Sequence, residues 1–194
     1  MKFSVIVPAH NSAGFIARGL ESIRAQTFKD YELIVVCDSC TDDTECVALQ
    51  YADRVLVRDY HRDGLARNAG LDAATGDWII FMDDDDWFER DDAFEIIDKY
   101  AVLDAVAFGF WVDGRGFVPA RGNFGKYYWI ACWSRAYRRE FIRDLRFSDE
   151  EAVSDVAFFQ DFMAMRPCIV DLDEHLYHYN FMRPGSQSWR LRND

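Results

Sequence analysis

The 194-residue sequence has no apolar run that approaches the ~18 residues needed for a membrane-spanning helix. Its first residues, MKFSVIVPAHN, place a proline and polar side chains where a secretory signal needs an uninterrupted apolar stretch. We therefore expect this N-terminus to belong to the folded protein. The expected location is the cytoplasm, with at most peripheral contact at the inner face of the membrane.

Cysteine is too sparse to form a disulfide framework, because the five cysteines are an odd number spread from Cys37 to Cys168. Cys37 and Cys40 have C-x-x-C spacing, but no second such pair or nearby histidine completes a metal or redox site. We expect Cys37 to be buried at the end of a strand, and Cys40 and Cys46 to occupy ordinary loop or helix positions.

Basic residues are outnumbered, with 22 lysines and arginines against 34 aspartates and glutamates and a net charge of -12. This balance argues against a nucleic-acid-binding surface and is compatible with acids gathered round a metal ion.

Several nucleotide-binding and hydrolytic motifs are also missing. The segment GNFGKYY lacks P-loop spacing, and there is no GxGxxG, HExxH or GxSxG. These absences count against P-loop hydrolysis of nucleoside triphosphates, a dinucleotide-binding dehydrogenase and a serine hydrolase.

Short apolar runs alternate with helical patterns in the first half of the chain. Apolar, β-branched runs predict strands at four places: Phe3–Pro8, Tyr31–Cys37, Arg54–Arg58 and Asp77–Met82. Helical spacing at Ile16, Leu20 and Ile23 follows the first run, with Asn11 or Ser12 as the predicted cap, and a second helix is predicted over Gly64–Gly76. This alternation predicts an α/β fold with a mostly parallel central sheet flanked by helices.

The second half departs from this alternation. It predicts a helix over Asp91–Tyr100, a strand over Asp104–Val112, a helix over residues 154–165 and a strand-like segment from His175. No repeat, low-complexity segment or linker interrupts the chain. We therefore expect a single domain over residues 1–194.

Polar residues follow three of the predicted strands: AHN after the first, DSC after the second and DDDD after the fourth. Ligands bind beyond the carboxyl ends of the strands in sheets of this kind. These polar groups are therefore expected to meet along one edge of the sheet.

Four consecutive aspartates, Asp83 to Asp86, lie between a buried strand and Trp87. Two carboxylates about 4 Å apart repel by roughly 4 kcal/mol at an effective dielectric near 20, so a captured cation would stabilise the run. On an extended segment Asp83 and Asp85 would share one side, opposite Asp84 and Asp86. Such a pair suits Mg²⁺ or Mn²⁺ bound together with phosphate oxygens. The alternative is a solvated loop with helix-capping aspartates.

In their order, these motifs resemble a known enzyme family. FSVIVPAHN, ELIVVCDSCTDDT and GLARNAGLDAATGDWIIFMDDDDWF resemble the N-terminal half of the inverting glycosyltransferases of family two, which have the GT-A fold. WSRAYRREFI, RFSDEEAVSDVAFF and YNFMRPGSQS resemble that family's acceptor-side segments. The resemblance covers nearly the whole chain. It implies a single GT-A domain with a Rossmann-like central sheet, in which residues 1–88 bind the nucleotide sugar and residues 89–194 the acceptor.

The resemblance also implies roles for individual residues. The donor-binding positions are Pro8, Ala9, His10, Asn11, Asp38, Arg67, Asp83 and Asp84. Among them, His10 stands where the family usually has an aromatic residue, and Asp38 matches the acid that binds the base. Asp83 and Asp85 match the metal-binding DxD pair, with Asp85 the more direct ligand. Asp155 matches the catalytic base, although Ser154 replaces the family's preceding glutamate. Glu150 and Glu151 are alternatives for the base, and a helix N-cap is the alternative role for Asp155.

Acceptor contacts are expected from aromatic and basic residues of the second half. The candidates are Trp129, Trp133 and Arg138, together with Trp111, Tyr127, Tyr128 and Arg139, although core packing is the commoner fate of aromatic side chains. Arg183, Ser186 and Ser188 lie on a late loop that is predicted to close over the diphosphate. His175 and His178 are candidates for a third metal ligand, or else structural residues.

The sequence therefore predicts a glycosyltransferase that uses Mn²⁺ or Mg²⁺ and moves a sugar, with inversion, from a nucleotide diphosphate sugar to a hydroxyl acceptor. The family default for the donor is a UDP-sugar, and the expected acceptor is a saccharide or a lipid-linked saccharide. One alternative is a sugar-nucleotide-binding module without turnover. The other is a nucleotidyltransferase, which would need a lysine-bearing loop where AHNSAGF stands.

Overall fold

The structure, a computed structural model, describes residues 1–120, 131–149, 154–181 and 183. Within this part of the chain nine strands form one sheet: β1 (Phe3–Ala9), β2 (Tyr31–Asp38), β3 (Arg54–Arg58), β4 (Trp78–Phe81), β5 (Trp87–Phe88), β6 (Ala105–Val112), β7 (Gly116–Val118), β8 (Arg135–Arg138) and β9 (Ile169–Tyr179). The α-helices described are α1 (Ile16–Arg24), α2 (Thr44–Ala48), α3 (Asp63–Ala73), α4 (Ala93–Tyr100) and α5 (Ser154–Ala164).

The first four strands in the order β3-β2-β1-β4 are parallel, as the sequence predicts. Every residue of β1, β2 and β4 is buried, because helices cover both faces of this part of the sheet. The predicted ends of β1 to β4 lie within one residue of the observed ends. Cys37 is buried near the end of β2, as expected.

The other strands continue the sheet in the order β8-β6-β9-β5, with antiparallel pairing of β4 with β8, β8 with β6 and β9 with β5. β6 and β9 are parallel, and β7 forms a hairpin with β6. Strands β5, β7 and β8 have two to four residues each, which is too short for an apolar pattern to reveal.

Two hydrophobic clusters cover the two faces of the sheet. One contains Ile16, Leu20 and Ile23 of α1 together with side chains of α4, so the predicted inner face of α1 is confirmed. The other contains side chains of α3 and α5, among them Phe158 and Phe162. The predicted cap of α1 is wrong, because Phe15 is the N-cap residue and no side chain caps the helix.

Two glycines let backbone segments approach closely beside the carboxyl edge of β4. A Cβ on Gly19 of α1 would lie 2.5 Å from the carbonyl oxygen of Asp86. A Cβ on Gly64 of α3 would lie 2.6 Å from the carbonyl oxygen of Ser148 and 3.0 Å from the Cβ of Ser154. The first residues of α3 and α5 are therefore neighbours. Among the residues described, no helix is both long and apolar enough to cross a membrane.

Candidate active site

The four aspartates form a tight turn at the carboxyl end of β4, which we call the aspartate turn (Asp83–Asp86). The backbone N–H of Asp86 donates to the carbonyl oxygen of Asp83 at 3.2 Å. The alternation expected for an extended segment is therefore wrong: the chain turns here, and the four carboxylates point to four different sets of partners.

The first two carboxylates of the aspartate turn face the parallel half of the sheet. Asp83 Oδ1 accepts from Nη2 of Arg67, on α3, at 2.8 Å. Asp84 Oδ2 accepts from the backbone N–H of His10, just beyond β1, at 3.2 Å. The bond between His10 and Asp84 brings the polar groups that follow β1 and β4 together at one edge of the sheet, as expected from the parallel topology.

The last two carboxylates face the end of β9. Asp85 Oδ2 accepts from Nε of Arg183 at 2.7 Å. Asp86 is fully buried, and its two oxygens accept from the Tyr177 hydroxyl at 2.7 Å and from the backbone N–H of Asn180 at 2.8 Å. The Tyr177 hydroxyl also accepts from the backbone N–H of Asp83 at 3.2 Å. One side chain therefore holds both ends of the turn.

Burial and mutual repulsion raise the pKa values of these acids. Burial, assisted by the charge of Asp85, raises the pKa of Asp84 to about 7. Burial also raises the pKa of Asp83 to about 6, although the guanidinium of Arg67 counteracts the shift. Burial and the charges of Asp83 and Asp85 raise the pKa of Asp86 well above its ordinary value. The turn therefore holds negative charge that is only partly compensated by the two arginines.

Replacing Asp84 with asparagine is expected to stabilise the metal-free protein above pH 7. In the unfolded chain this carboxyl ionises near pH 4, whereas in the folded chain it keeps its proton up to about pH 7. A carboxyl with a raised folded-state pKa stabilises the fold at low pH and loses that contribution as the pH rises through the folded value. We expect Asp84→Asn to add about 1–2 kcal/mol at pH 8 and almost nothing at pH 4.

The measurement is urea denaturation of both proteins in EDTA over this pH range. Asp30→Asn, at an exposed position, serves as the control and should show no such dependence. A stability difference between Asp84→Asn and the native chain that does not grow between pH 4 and pH 8 would contradict this account of the turn.

Arg67 is the cation at the centre of the site and is 4% exposed. Its Nη1 lies 2.6 Å from Asp63 Oδ2 and 3.5 Å from Asp155 Oδ1, and its Nη2 binds Asp83. Burial opposes its charge, yet these three acids raise the pKa of Arg67 well above its ordinary value. Arg67 is therefore a fixed positive charge between the aspartate turn and α5.

Asp155 lies in the first turn of α5, where the close approach of α3 and α5 at Gly64 brings it to Arg67. Its Oδ2 accepts from the backbone N–H of Cys132 at 3.5 Å, and about a quarter of its side chain (26%) is exposed. A partly exposed carboxylate held beside a buried arginine can receive a proton from a bound hydroxyl compound. The alternatives Glu150 and Glu151 lie outside the described residues.

The remaining predicted donor residues line the ends of β1 and β2. Pro8 and Ala9 are the buried last residues of β1, paired with Val36 and Cys37. His10 is exposed, with its Nδ1 2.7 Å from the carbonyl oxygen of Asp38. Asn11 has a positive φ of 49°, and its side-chain oxygen accepts from the backbone N–H of Thr41 at 2.7 Å. Asn11, one of the two predicted cap residues of α1, therefore joins the loops after β1 and β2 instead.

Asp38 is 4% exposed, and both of its carboxylate oxygens accept backbone hydrogen bonds. The donors are the N–H groups of Tyr60 at 2.6 Å and Arg62 at 2.8 Å. These bonds give Asp38 a structural role, which is to hold the segment between β3 and α3. Its predicted contact with a nucleotide base stays a prediction.

The predicted acceptor contacts stay predictions, but two of the proposed residues have other roles in the described part of the chain. Trp133 is 3% exposed, and its ring stacks on Tyr177 with a centroid distance of 4.7 Å, so it is a core residue. Arg138 pairs in register with Trp78 at the opposite end of β4 from the aspartate turn, and it forms an ion pair with Asp104. Trp129, Tyr127 and Tyr128 lie outside the described residues.

Both late histidines contact residues outside the aspartate turn, and the hypothesis that one of them is a third metal ligand stays a prediction. The ring of His178 stacks on Trp87 with a centroid distance of 3.8 Å, and its nitrogens contact Glu89 and Asp113. His175 packs against Phe117. These contacts agree with a structural role, which is the other role that the sequence allowed.

Three residues of the site were missed by sequence reasoning: Asp63, Tyr177 and Asn180. The i,i+4 spacing of Asp63 and Arg67 on a helix was a usable signal. Tyr177 and Asn180 meet Asp86 across 91 and 94 residues of sequence, and no local pattern marks such contacts.

No group of three or more histidine, cysteine, aspartate or glutamate side chains in the described ranges is arranged to hold a metal ion. Carboxylates are nevertheless the oxygen ligands that hard divalent cations prefer. Such ions commonly take one or two protein carboxylates and complete their shell with phosphate oxygens and water. The predicted metal ligands Asp83 and Asp85 are paired with Arg67 and Arg183 in this structure, and their binding of a metal ion stays a prediction.

Comparison with known proteins agrees with this geometry. A family model described as "Glycosyl transferase family 2" matches residues 4–163. The chain is 27% identical over 222 aligned residues to the glycosyltransferase GlyA of Streptococcus pneumoniae, an alignment that covers 96% of this chain and 31% of GlyA. The chain therefore spans about a third of the length of that relative.

Solved structures share the fold. The crystal structure of S. aureus TarS 1-349 in complex with UDP-GlcNAc matches with a TM-score of 0.83 and 26% identity, covering 97% of this chain and 61% of that one. The mannosyltransferase PcManGT from Pyrobaculum calidifontis, in complex with GDP-Man and Mn²⁺, matches with a TM-score of 0.76 and 20% identity. That match covers 98% of this chain and 60% of the mannosyltransferase. The expected GT-A architecture is thus confirmed, and with the family model matching most of its residues, the chain belongs to glycosyl transferase family 2.

Proposed function

We propose that this chain transfers a sugar from a nucleoside diphosphate donor to a hydroxyl acceptor, with inversion at the anomeric carbon and with the help of Mn²⁺ or Mg²⁺. One observation carries the proposal. The aspartate turn, Arg67 and Asp155 meet at the carboxyl edge of the sheet, where Arg67 lies between Asp83 at 2.8 Å and Asp155 at 3.5 Å. This is the place where ligands bind in open α/β sheets.

The donor class is supported by proteins of the same fold. UDP-GlcNAc is bound in the TarS complex, and GDP-Man is bound in the mannosyltransferase complex. We propose a nucleotide sugar donor, with a UDP-sugar as the first choice because the identity to TarS is the higher of the two. The donor-side residues are then those at the ends of β1, β2 and β4, within residues 1–88.

A divalent cation at Asp83 and Asp85 would neutralise the diphosphate of the donor and stabilise the charge that develops on the leaving group. The mannosyltransferase complex, which contains Mn²⁺, supports this choice of metal. Asp84 is hydrogen-bonded to the backbone N–H of His10, so it ties the aspartate turn to the donor loop after β1.

The chain's own residues supply the remaining chemistry. The guanidinium of Arg67 is fixed by three acids and places positive charge beside the proposed diphosphate site. Asp155 accepts the proton of the acceptor hydroxyl while the hydroxyl oxygen attacks the anomeric carbon and the bond from that carbon to the nucleoside diphosphate breaks. Because this reaction uses one base and no nucleophile from the protein, it is a single displacement that inverts the configuration of the anomeric carbon.

Both halves of the chain contribute to this site. Asp155, Tyr177 and Arg183, from residues 89–194, contact residues of the first half. We propose that the second half also binds the acceptor, a saccharide or lipid-linked saccharide. Of the predicted aromatic contacts in the described residues, Trp133 is buried and Trp111 is exposed.

Donor binding should depend on the metal, and a thermal-shift panel tests this. With Mn²⁺ present, a preferred nucleotide sugar at about 100 times its Kd should stabilise the fold by roughly 2.7 kcal/mol. For a chain of this size this corresponds to a rise in Tm of roughly 5–10 °C. In EDTA the rise should vanish, and free GlcNAc is the control ligand. If no nucleoside diphosphate or nucleotide sugar raises the Tm with metal present, the proposed function is wrong.

A further inference from the structure

Arg183 forms a well-anchored ion pair with one of the two proposed metal ligands. Its Nε lies 2.7 Å from Asp85 Oδ2, and the exposed fractions of the two side chains are 26% and 12%. The guanidinium carbon lies 4.0 Å from the centroid of the Phe15 ring, in the loop before α1. An arginine that is stacked on one side and paired on the other is fixed more firmly than an ordinary surface arginine.

The backbone near Arg183 is fastened to the same turn. The Asn180 N–H donates to Asp86 Oδ1 at 2.8 Å, and the Asn180 side-chain amide donates to the carbonyl oxygen of Asp85 at 3.2 Å. These two bonds hold the end of β9 against the aspartate turn. They explain why Arg183 lies beside Asp85 although the two residues are 98 positions apart in the chain.

The guanidinium of Arg183 and a divalent cation on the same carboxylate of Asp85 would repel each other at close range, so the ion pair weakens Asp85 as a metal ligand. We propose that Arg183 is the resident counter-cation of Asp85 and competes with the divalent metal ion for it. This inference rests on the metal site of the proposed function. It concerns the state before the donor binds.

A nucleoside diphosphate changes this competition. Its phosphate oxygens offer the guanidinium a second anionic partner of suitable geometry, so Arg183 can leave Asp85 while the metal takes its place. Metal and nucleotide then strengthen each other's binding, and by linkage the effect is reciprocal. The metal alone binds weakly because it must first displace Arg183.

The test is direct Mn²⁺ binding, measured by electron paramagnetic resonance of the free ion, with and without UDP. Arg183→Gln should bind Mn²⁺ roughly 10-fold more tightly than the native chain when no nucleotide is present. The gain in Mn²⁺ affinity on adding UDP should be smaller in the variant. Phe15→Leu, which keeps the arginine and removes only the ring beneath it, should tighten Mn²⁺ binding about threefold. Arg146→Gln breaks the exposed pair with Asp72 and serves as the matched control, with no change in Mn²⁺ affinity.

Unchanged or weaker Mn²⁺ binding by Arg183→Gln and Phe15→Leu would overturn the inference. If the native chain binds Mn²⁺ in the presence of UDP and both variants have the same Mn²⁺ affinity as the native chain, only the proposed competition by Arg183 is wrong. If the native chain takes up no Mn²⁺ even with UDP, the metal site of the proposed function fails as well.

Discussion

Asp155→Asn should lower the rate of sugar transfer by a factor of about 10²–10⁴ while leaving donor affinity within a few-fold of the native value. Asparagine has nearly the same shape and can still accept from the Cys132 N–H, but it cannot take a proton from the acceptor hydroxyl. Arg67 keeps Asp63 and Asp83 as partners, so the donor side of the site should survive the change. Transfer is measured with UDP-sugar and acceptor, and donor binding by calorimetry with Mn²⁺.

The matched control is Asp161→Asn, which removes the same charge from an exposed position of the same helix and should leave both measurements unchanged. A collapse of donor affinity in Asp155→Asn would mean that the residue acts mainly by holding Arg67. Native transfer rates in Asp155→Asn, with transfer lost in Glu151→Gln, would move the base to Glu151.

The parts of this site that the sequence predicts are those that lie next to a strand in the chain. The aspartate turn, His10 and Asp38 each follow a buried apolar run, and parallel strands bring their carboxyl ends to one edge. Arg67 was assigned only through the family resemblance, although its i,i+4 spacing from Asp63 is a local signal. The architecture of the first half was therefore predictable from the periodicity of its apolar residues. The convergence of the polar residues was predictable because each group directly follows a strand.

The second half was harder to predict because its contacts depend on pairing between distant segments. Trp133 and Trp111 look alike in sequence, yet Trp133 is buried against Tyr177 and Trp111 is 42% exposed. The antiparallel pairing of β8 with β4 sends Arg138 to the edge away from the site. A turn replaced the extended conformation of the four aspartates because Tyr177 draws Asp83 and Asp86 together, a contact that no spacing rule foretells.

Replacing Arg67 with methionine should destabilise the protein by about 3–5 kcal/mol, the usual cost of breaking a buried ion pair from one side. Arg67 is 4% exposed, and its removal leaves Asp63, Asp83 and Asp155 without their shared cation. Since the guanidinium lowers the pKa of Asp83, the variant should hold a proton there at higher pH than the native chain does. The loss of stability should therefore be largest above pH 7 and smaller near pH 5, where protonation relieves the repulsion.

Urea denaturation of Arg67→Met at the two pH values, in EDTA, measures this loss. Arg146→Met removes a guanidinium from the exposed pair with Asp72 and should cost no more than about 1 kcal/mol at either pH. Adding Asp83→Asn to Arg67→Met should restore part of the stability, because it removes one of the unpaired charges. If Arg67→Met costs no more than Arg146→Met, then Arg67 is not the buried cation that holds these acids together. In that case the juxtaposition of Asp83 with Asp155, on which the proposed chemistry depends, would need another cause.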